Sequence, residues 1–199
     1  MAIQEWTEML YFWIILIGNV VIIAANLLFS GASPLPEGVL GAIYLPILNT
    51  LCVIAIDGVA AFIIRRLPEK WFSYESRLSR VANKECRIYA RFGVRKWRGK
   101  VPELGGFTSF HKNKVYEPKN SEYLKRYVLE ANYGVVIHIA CVFVGFLILF
   151  ICHTPCALRV GLPVALVNAV LNLMPTFVLR YNLPKLQSLM RMNERREKK

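Results

Sequence analysis

The sequence predicts an all-α integral membrane protein with four transmembrane helices and a basic, partly helical cytosolic loop between the second and third. Three observations predict it. Of the 199 residues, 55% are hydrophobic and only 19% charged, with a mean hydropathy of +0.39. Soluble domains carry about 25% charged residues, so this apolar excess needs lipid as its solvent. Four stretches reach the roughly 20 apolar residues that span a bilayer core. The 25 Lys and Arg are also segregated, with none in residues 1–64, 17 in 65–126, Arg159 alone, and 7 in 180–199. High aliphatic content excludes a disordered chain, and five Cys are too sparse for a secreted disulfide scaffold.

The first span runs from Met9 to Phe29. It lacks a basic n-region and exceeds signal-peptide length, so it reads as a membrane helix. Ser30 to Gly38 is a Gly/Ser/Pro-rich turn, and the second span follows from Val39 to Ile64, with Pro46 free to bend it. Residues 1–64 form the first unit.

Residues 65–132 form a basic unit in which 17 bases oppose six acids over 65–126, a net +11. Trp71, Phe72, Leu78, Val81, Ile88 and Tyr89 recur at near-helical intervals among Arg77, Arg80, Lys84 and Arg87. That spacing predicts an amphipathic helix from Glu69 to Ala90 lying on the membrane face. Ser121 to Glu130 is a second helical segment leading into the third span, Tyr133 to Cys152. His153 to Ala157 is a tight connection, and the fourth span runs from Leu158 to Leu179 through Pro163 and Pro175. Residues 133–179 and the basic tail 180–199 complete the chain. Basic segments stay cytoplasmic, so the loop, the tail and, by the parity of four spans, the N-terminus are expected in the cytosol of a cell-membrane protein. A basic loop flanked by spans and interleaved with aromatics fits anionic lipid headgroups or donor phosphates, and not nucleic acid.

Polar residues at membrane depth cost roughly 2.5–3.5 kcal/mol for a central charge, so each needs a reason. Asp57 lies seven residues before Ile64, and His138 lies five residues into the third span. Glu130 precedes His138 by eight residues, about 80° away around the helix. His138 is suited to take a proton from an attacking hydroxyl, its ordinary pKa of about 6.5 lying near working pH; the alternative is a histidine that only bonds a neighbouring helix. The fourth span carries Asn168 and Asn172 and ends in Arg180, Tyr181 and Asn182. Arg180 is read as a partner for Asp57 or Glu130, as a clamp for a substrate anion, or as part of an interfacial anchor. Asn19 and Asn26, and Asn49 with Thr50, read as helix-to-helix glue. Cys152 and Cys156 flank the outer turn as a weak disulfide candidate. No metal pattern is visible around His111 and His153, and no phosphate loop, serine elbow or dinucleotide fingerprint occurs.

Two segments resemble a known family. Asn172-Leu-Met-Pro-Thr-Phe-Val-Leu-Arg-Tyr-Asn-Leu-Pro-Lys-Leu186 resembles the "N-x-P … R-Y-N-R-P-R-L" ending of the glycosyl-4,4'-diaponeurosporenoate acyltransferases. Phe92-Gly-Val-Arg-Lys-Trp-Arg-Gly-Lys-Val-Pro-Glu-Leu-Gly-Gly-Phe107 is similar to their "K-x-W-K … L-P-E/D … G-F" segment, and Glu130 and His138 match acidic and histidine positions. Leu183 stands where the family has Arg, Lys185 is the next base, and Pro175 lies one place later. The resemblance implies a membrane O-acyltransferase without cofactor or metal. It would move a fatty acyl group from acyl-CoA or an acyl carrier protein to a sugar hydroxyl of a glycosylated carotenoid or related glycolipid. It implies His138 as base with Glu130 orienting it through water or a neighbouring residue. Arg180, Tyr181 and Asn182 would contact the oxyanion or the donor phosphate, and Lys96, Trp97, Arg98 and Lys100 would hold the donor's anionic head. A transferase acting on another lipid or polyprenoid, and a non-catalytic protein binding anionic lipid, are the alternatives.

Overall fold

The structure, a computed structural model, describes residues 2–29, 35, 38–101, 115–151 and 156–197. Among them there is no strand. Helix α1 spans Ala2–Leu28 and α2 spans Gly38–Arg65. The basic region holds α3, Asn83–Arg91, and the single turn α4, Val94–Trp97. Helix α5, Ser121–Val144, continues through a 3-10 turn into α6, Ile148–Ile151. A π-helical turn, Ala157–Gly161, opens α7, Leu162–Glu197. Four helical stretches are long and apolar enough to cross a membrane: Leu10–Leu28, Gly38–Arg65, Ser121–Ile151 and Ala157–Glu197. Their outward Leu, Ile, Val and Phe side chains, such as Val21, Ile63, Phe143 and Val170, are exposed, as a lipid solvent requires.

The four spans are those that hydropathy predicts, with one extension. At about 1.5 Å per residue, the 36 residues of α7 reach about 54 Å, well beyond a hydrocarbon core of about 30 Å. The described part of the basic tail, as far as Glu197, is therefore the end of α7 itself, which stays helical through Pro175 and Pro184. Proline removes the N–H that would bond the carbonyl four residues back. For Pro175 that carbonyl belongs to Leu171, and it accepts a hydrogen bond from Tyr11 Oη of α1 instead, at 3.2 Å.

Helices α5 and α7 make the most extensive helix pair. Gly134 allows the approach: a Cβ there would stand 2.9 Å from Leu179 Cδ1. Toward the basic end, Leu124, Tyr127 and Val128 of α5 bury against Leu183, Leu186 and Met190 of α7. Asn120 caps α5, its Oδ1 accepting from the backbone N–H of Glu122 and Tyr123 at 3.1 Å each, which satisfies two otherwise orphan donors. At the other end Ile22, Val53, Ile148, Val160 and Val164 form the core shared by α1, α2, α6 and α7.

The single amphipathic helix expected from Glu69 to Ala90 does not form. In its place are two 3-10 turns, Glu69–Trp71 and Arg77–Ser79, ahead of α3. A helix would consume the carbonyls of this stretch internally, but side chains of the α5–α7 pair claim them. Asn132 Nδ2 donates to Phe72 O at 2.8 Å, Arg180 donates to Leu78 O and Arg80 O, and Gln187 donates to Ser79 O. Of the apolar positions that suggested a helix, Phe72, Leu78, Val81 and Tyr89 pack on the same pair, with Phe72 stacked on Tyr133 at a ring distance of 4.0 Å, whereas Trp71 and Ile88 are exposed. The basic region thus wraps the protruding α5–α7 stem.

Candidate functional site

Three helices contribute polar side chains to a cluster inside the bundle. Asp57 comes from α2, His138 from α5 and Asn172 from α7. Each lies eight residues from a charged residue at the basic end of its own helix, namely Arg65, Glu130 and Arg180. Eight residues of helix rise about 12 Å, so the cluster occupies one level, about 12 Å below the basic surface. Asn172 Nδ2 donates to Asp57 Oδ2 at 3.0 Å, and to Asn168 O and Asn168 Oδ1 at 3.1 Å each. Asn172 Oδ1 lies 2.9 Å from His138 Nδ1.

This network fixes the histidine's tautomer. With Nδ2 facing three oxygens, the Asn172 amide has only one workable orientation, and its Oδ1 must accept. His138 therefore donates from Nδ1–H, which leaves Nε2 as the basic nitrogen of the neutral ring. Asn168 braces the cluster, donating to Asp57 Oδ1 at 3.4 Å and to Cys141 O at 3.2 Å. Gly145 makes room for it, since a Cβ there would collide with Asn168 Nδ2. The result is a carboxylate, a relaying amide and an imidazole in hydrogen-bonded sequence, which can hold a base in place while it takes a proton.

Glu130 is not part of that sequence. Its carboxylate bonds Arg65 at 2.5 Å and Arg126 at 3.1 Å, and Arg126 also reaches Glu69 at 3.1 Å. These pairs join the end of α2 to the emergence of α5. Arg180 pairs with neither Asp57 nor Glu130. Its Nε and Nη2 meet Glu85 Oε1 and Oε2 at 2.6 and 2.7 Å, while Nη1 and Nη2 donate to Leu78 O and Arg80 O. Four of the five N–H groups of a guanidinium are then engaged within the protein. Burial alone would raise the Glu85 pKa, but hydrogen bonds from Arg180 and Tyr89 and the Arg180 charge outweigh it and hold the carboxyl below its ordinary range. Burial and the neighbouring carboxylate push the Tyr89 phenol up.

Arg98, Tyr181 and Asn182 do come together. Arg98 Nη1 donates to Asn182 Oδ1 at 2.9 Å, and its guanidinium lies 5.7 Å from the Tyr181 ring centre. Lys185 Nζ approaches the same ring at 5.3 Å. Lys96 and Lys100 are exposed beside them. Trp97 donates from Nε1 to Phe92 O at 3.0 Å and packs beside Tyr89, Val94 and Val178, so it shapes the platform that carries these bases. Leu104 to Phe107, His111, Cys152 and His153 lie outside the described residues, and with them the disulfide expectation at Cys152 and Cys156.

The model of the glycosyl-4,4'-diaponeurosporenoate acyltransferase family matches residues 68–192, more than half of the chain. The chain belongs to this family. No curated protein and no solved structure matches it. Membership makes the chain an acyltransferase, and the family's activity implies an acyl donor and a glycosylated carotenoid acceptor. The segment shared with the glycosyl-4,4'-diaponeurosporenoate acyltransferases includes His138, Asn168, Asn172 and the Arg98 platform, whereas Asp57 lies before it. Asp57 and the two asparagines stand out in the sequence only as costly polar residues at depth. The signal that could have joined them to His138 is their shared eight-residue distance from Arg65, Glu130 and Arg180.

Proposed function

We propose that the chain moves a fatty acyl group from an activated thioester donor to a sugar hydroxyl of a glycosylated carotenoid or related glycolipid, with His138 as the general base. The observation that carries this reading is the Asp57, Asn172 and His138 sequence of hydrogen bonds at 2.9 and 3.0 Å. His138 Nε2 takes the hydroxyl proton as the oxygen attacks the thioester carbonyl carbon. The tetrahedral intermediate collapses with loss of the C–S bond, and the imidazolium returns its proton to the departing thiolate. Asn172 keeps the imidazole in the required tautomer, and the Asp57 carboxylate polarises that amide.

The surface bases suit the donor. Lys96, Arg98 and Lys100, with Tyr181 and Asn182, would hold the phosphates of acyl-CoA or the acidic face of an acyl carrier protein. Asn182 lies ten residues from Asn172, about 15 Å along α7. That is too far to reach an oxyanion formed at His138, so Asn182 belongs to the donor's head. Arg180, spent on Glu85 and two carbonyls, acts as the clamp that holds the platform on α7. The basic face is placed in the cytosol of the cell membrane, with both chain termini on that side.

The test is chemical. Membranes supplied with a glycosylated C30 carotenoid are extracted with and without the protein, and the lipids are compared by mass spectrometry. A product heavier by one acyl group supports the reading. An unchanged carotenoid together with an acylated lipid of another class would assign the scaffold to a different acceptor.

A further inference from the structure

A cleft lies between α1, α2 and α7, with Asn168 on its border. Ile15, Gly18, Ile22, Ile54 and Val167 form much of its wall. The polar residues that border it are already paired. Asn19 Nδ2 donates to Thr50 Oγ1 at 3.1 Å and to Ile15 O at 2.9 Å, and Thr50 Oγ1 donates to Pro46 O at 2.8 Å. Asn168 spends its amide on Asp57 and Cys141 O. With those donors engaged, the cleft is an open, apolar slot suited to hydrocarbon.

Its direction matters as much as its chemistry. Asn168 stands one turn further from the basic surface than Asn172, and Thr50 stands seven residues, about 10 Å, beyond Asp57. The slot therefore starts at the level of the His138 cluster and leads away from the face that carries Lys96 and Arg98. A donor whose anionic head rests on that face and whose thioester sits at His138 must send its chain in this direction. The slot is also narrow and short: a Cβ on Gly18 would come 3.3 Å from Val167 Cγ2, and the α7 wall from Val164 to Leu171 covers about 10 Å. A flexible saturated chain can enter such a space, whereas a long rigid polyene cannot fold into it.

We infer that this cleft binds the acyl chain of the donor and that Gly18 and Val167 set the chain length it accepts. The inference rests on the reading under Proposed function. Its test uses the full-length protein in membranes with lauroyl-, palmitoyl- and stearoyl-CoA offered in competition, and a diazirine-bearing palmitoyl probe in a parallel arm. Val167→Phe should shift the product ratio toward lauroyl by about tenfold, Val167→Ala should favour stearoyl, and Val170→Phe, on the exposed face of the same helix, should leave the ratio unchanged. Photolabelling should concentrate on Ile15, Ile22 and Val53 and fall in Val167→Phe. An unchanged product ratio in Val167→Phe overturns the inference while leaving the transferase reading intact. A wild-type protein that transfers nothing but labels in the cleft refutes the transferase reading and keeps the chain site. Labelling spread evenly over the outward faces, Val170 included, means ordinary lipid contact and overturns the chain site.

Discussion

Asn172 holds its carboxamide oxygen 2.9 Å from His138 Nδ1, joining residues 34 apart in sequence on two helices that pack along their length. If this contact orients a base, removing it should slow chemistry without weakening donor binding. Asn172→Leu and Asp57→Asn are each expected to lower kcat by about 10–100-fold, the equivalent of one hydrogen bond to a charged or catalytic group. KM for the donor should stay near its wild-type value. Steady-state kinetics normalised to folded protein checks this, since a merely structural role would reduce the folded fraction and not kcat.

Glu85 and Arg180 hold the basic region on α7, and their contribution should depend on pH in a definite direction. The Glu85 carboxyl is held below its ordinary value of 4.5, so the folded state favours the ionised form. Its stabilisation is then complete above that value and is lost as pH falls through the lower folded pKa. Glu85→Gln should cost about 2 kcal/mol at neutral pH. The melting curves of variant and wild type in detergent should converge as the solution becomes strongly acidic. A difference that persists unchanged into acid would refute the pairing.

Tyr11 donates to the Leu171 carbonyl that Pro175 leaves unbonded. Tyr11→Phe should therefore destabilise by about 1 kcal/mol in the native sequence. In a Pro175→Ala background, where the substituted residue supplies the missing backbone N–H, the same change should cost much less. A double-mutant cycle on thermal unfolding measures the coupling directly, and additive effects would separate the two residues.

Neutralising the platform should affect donor capture. Arg98→Ala, which also removes the hydrogen bond to Asn182 Oδ1, and the pair Lys96→Ala with Lys100→Ala should raise KM for an anionic donor by about tenfold, with kcat little changed. Added salt should weaken wild-type donor binding and have less effect on the variants. Kinetics across a salt series provides the measurement.

Gly145→Ala should dislodge Asn168, because the new Cβ would occupy the space of its amide nitrogen. The expected cost is about 1–3 kcal/mol of stability, together with reduced transfer as the Asp57 brace loosens. Calorimetry and activity on the same preparation show whether both move.

Much of this molecule is legible in its residues. The four spans follow from apolar length, because lipid imposes a requirement that a single sequence must meet everywhere. The position of the charges marks the basic end of the bundle for the same reason. Rotation of each helix about its axis is not written so plainly. Asp57, His138 and Asn172 can each be assigned a depth from the sequence, yet nothing local says that they face one another, and so Glu130, on the same helix as His138, looks like the nearer partner. The 69–82 segment misleads in the opposite way. Its apolar spacing is helical, but its fate is decided by Asn132, Arg180 and Gln187, which lie far off in the chain and capture its carbonyls. Arg180 looks available in the sequence because Glu85 is 95 residues away.

The central claim is that His138 is the base that activates the acceptor hydroxyl. It is tested most directly by single-turnover transfer from a radiolabelled acyl-CoA to a glycosylated carotenoid in membranes, comparing wild type with His138→Ala at matched amounts of inserted protein. A general base contributes about 10²–10⁴ in rate, so the account predicts a loss of that size with donor binding retained. Transfer by His138→Ala at the wild-type rate would contradict it.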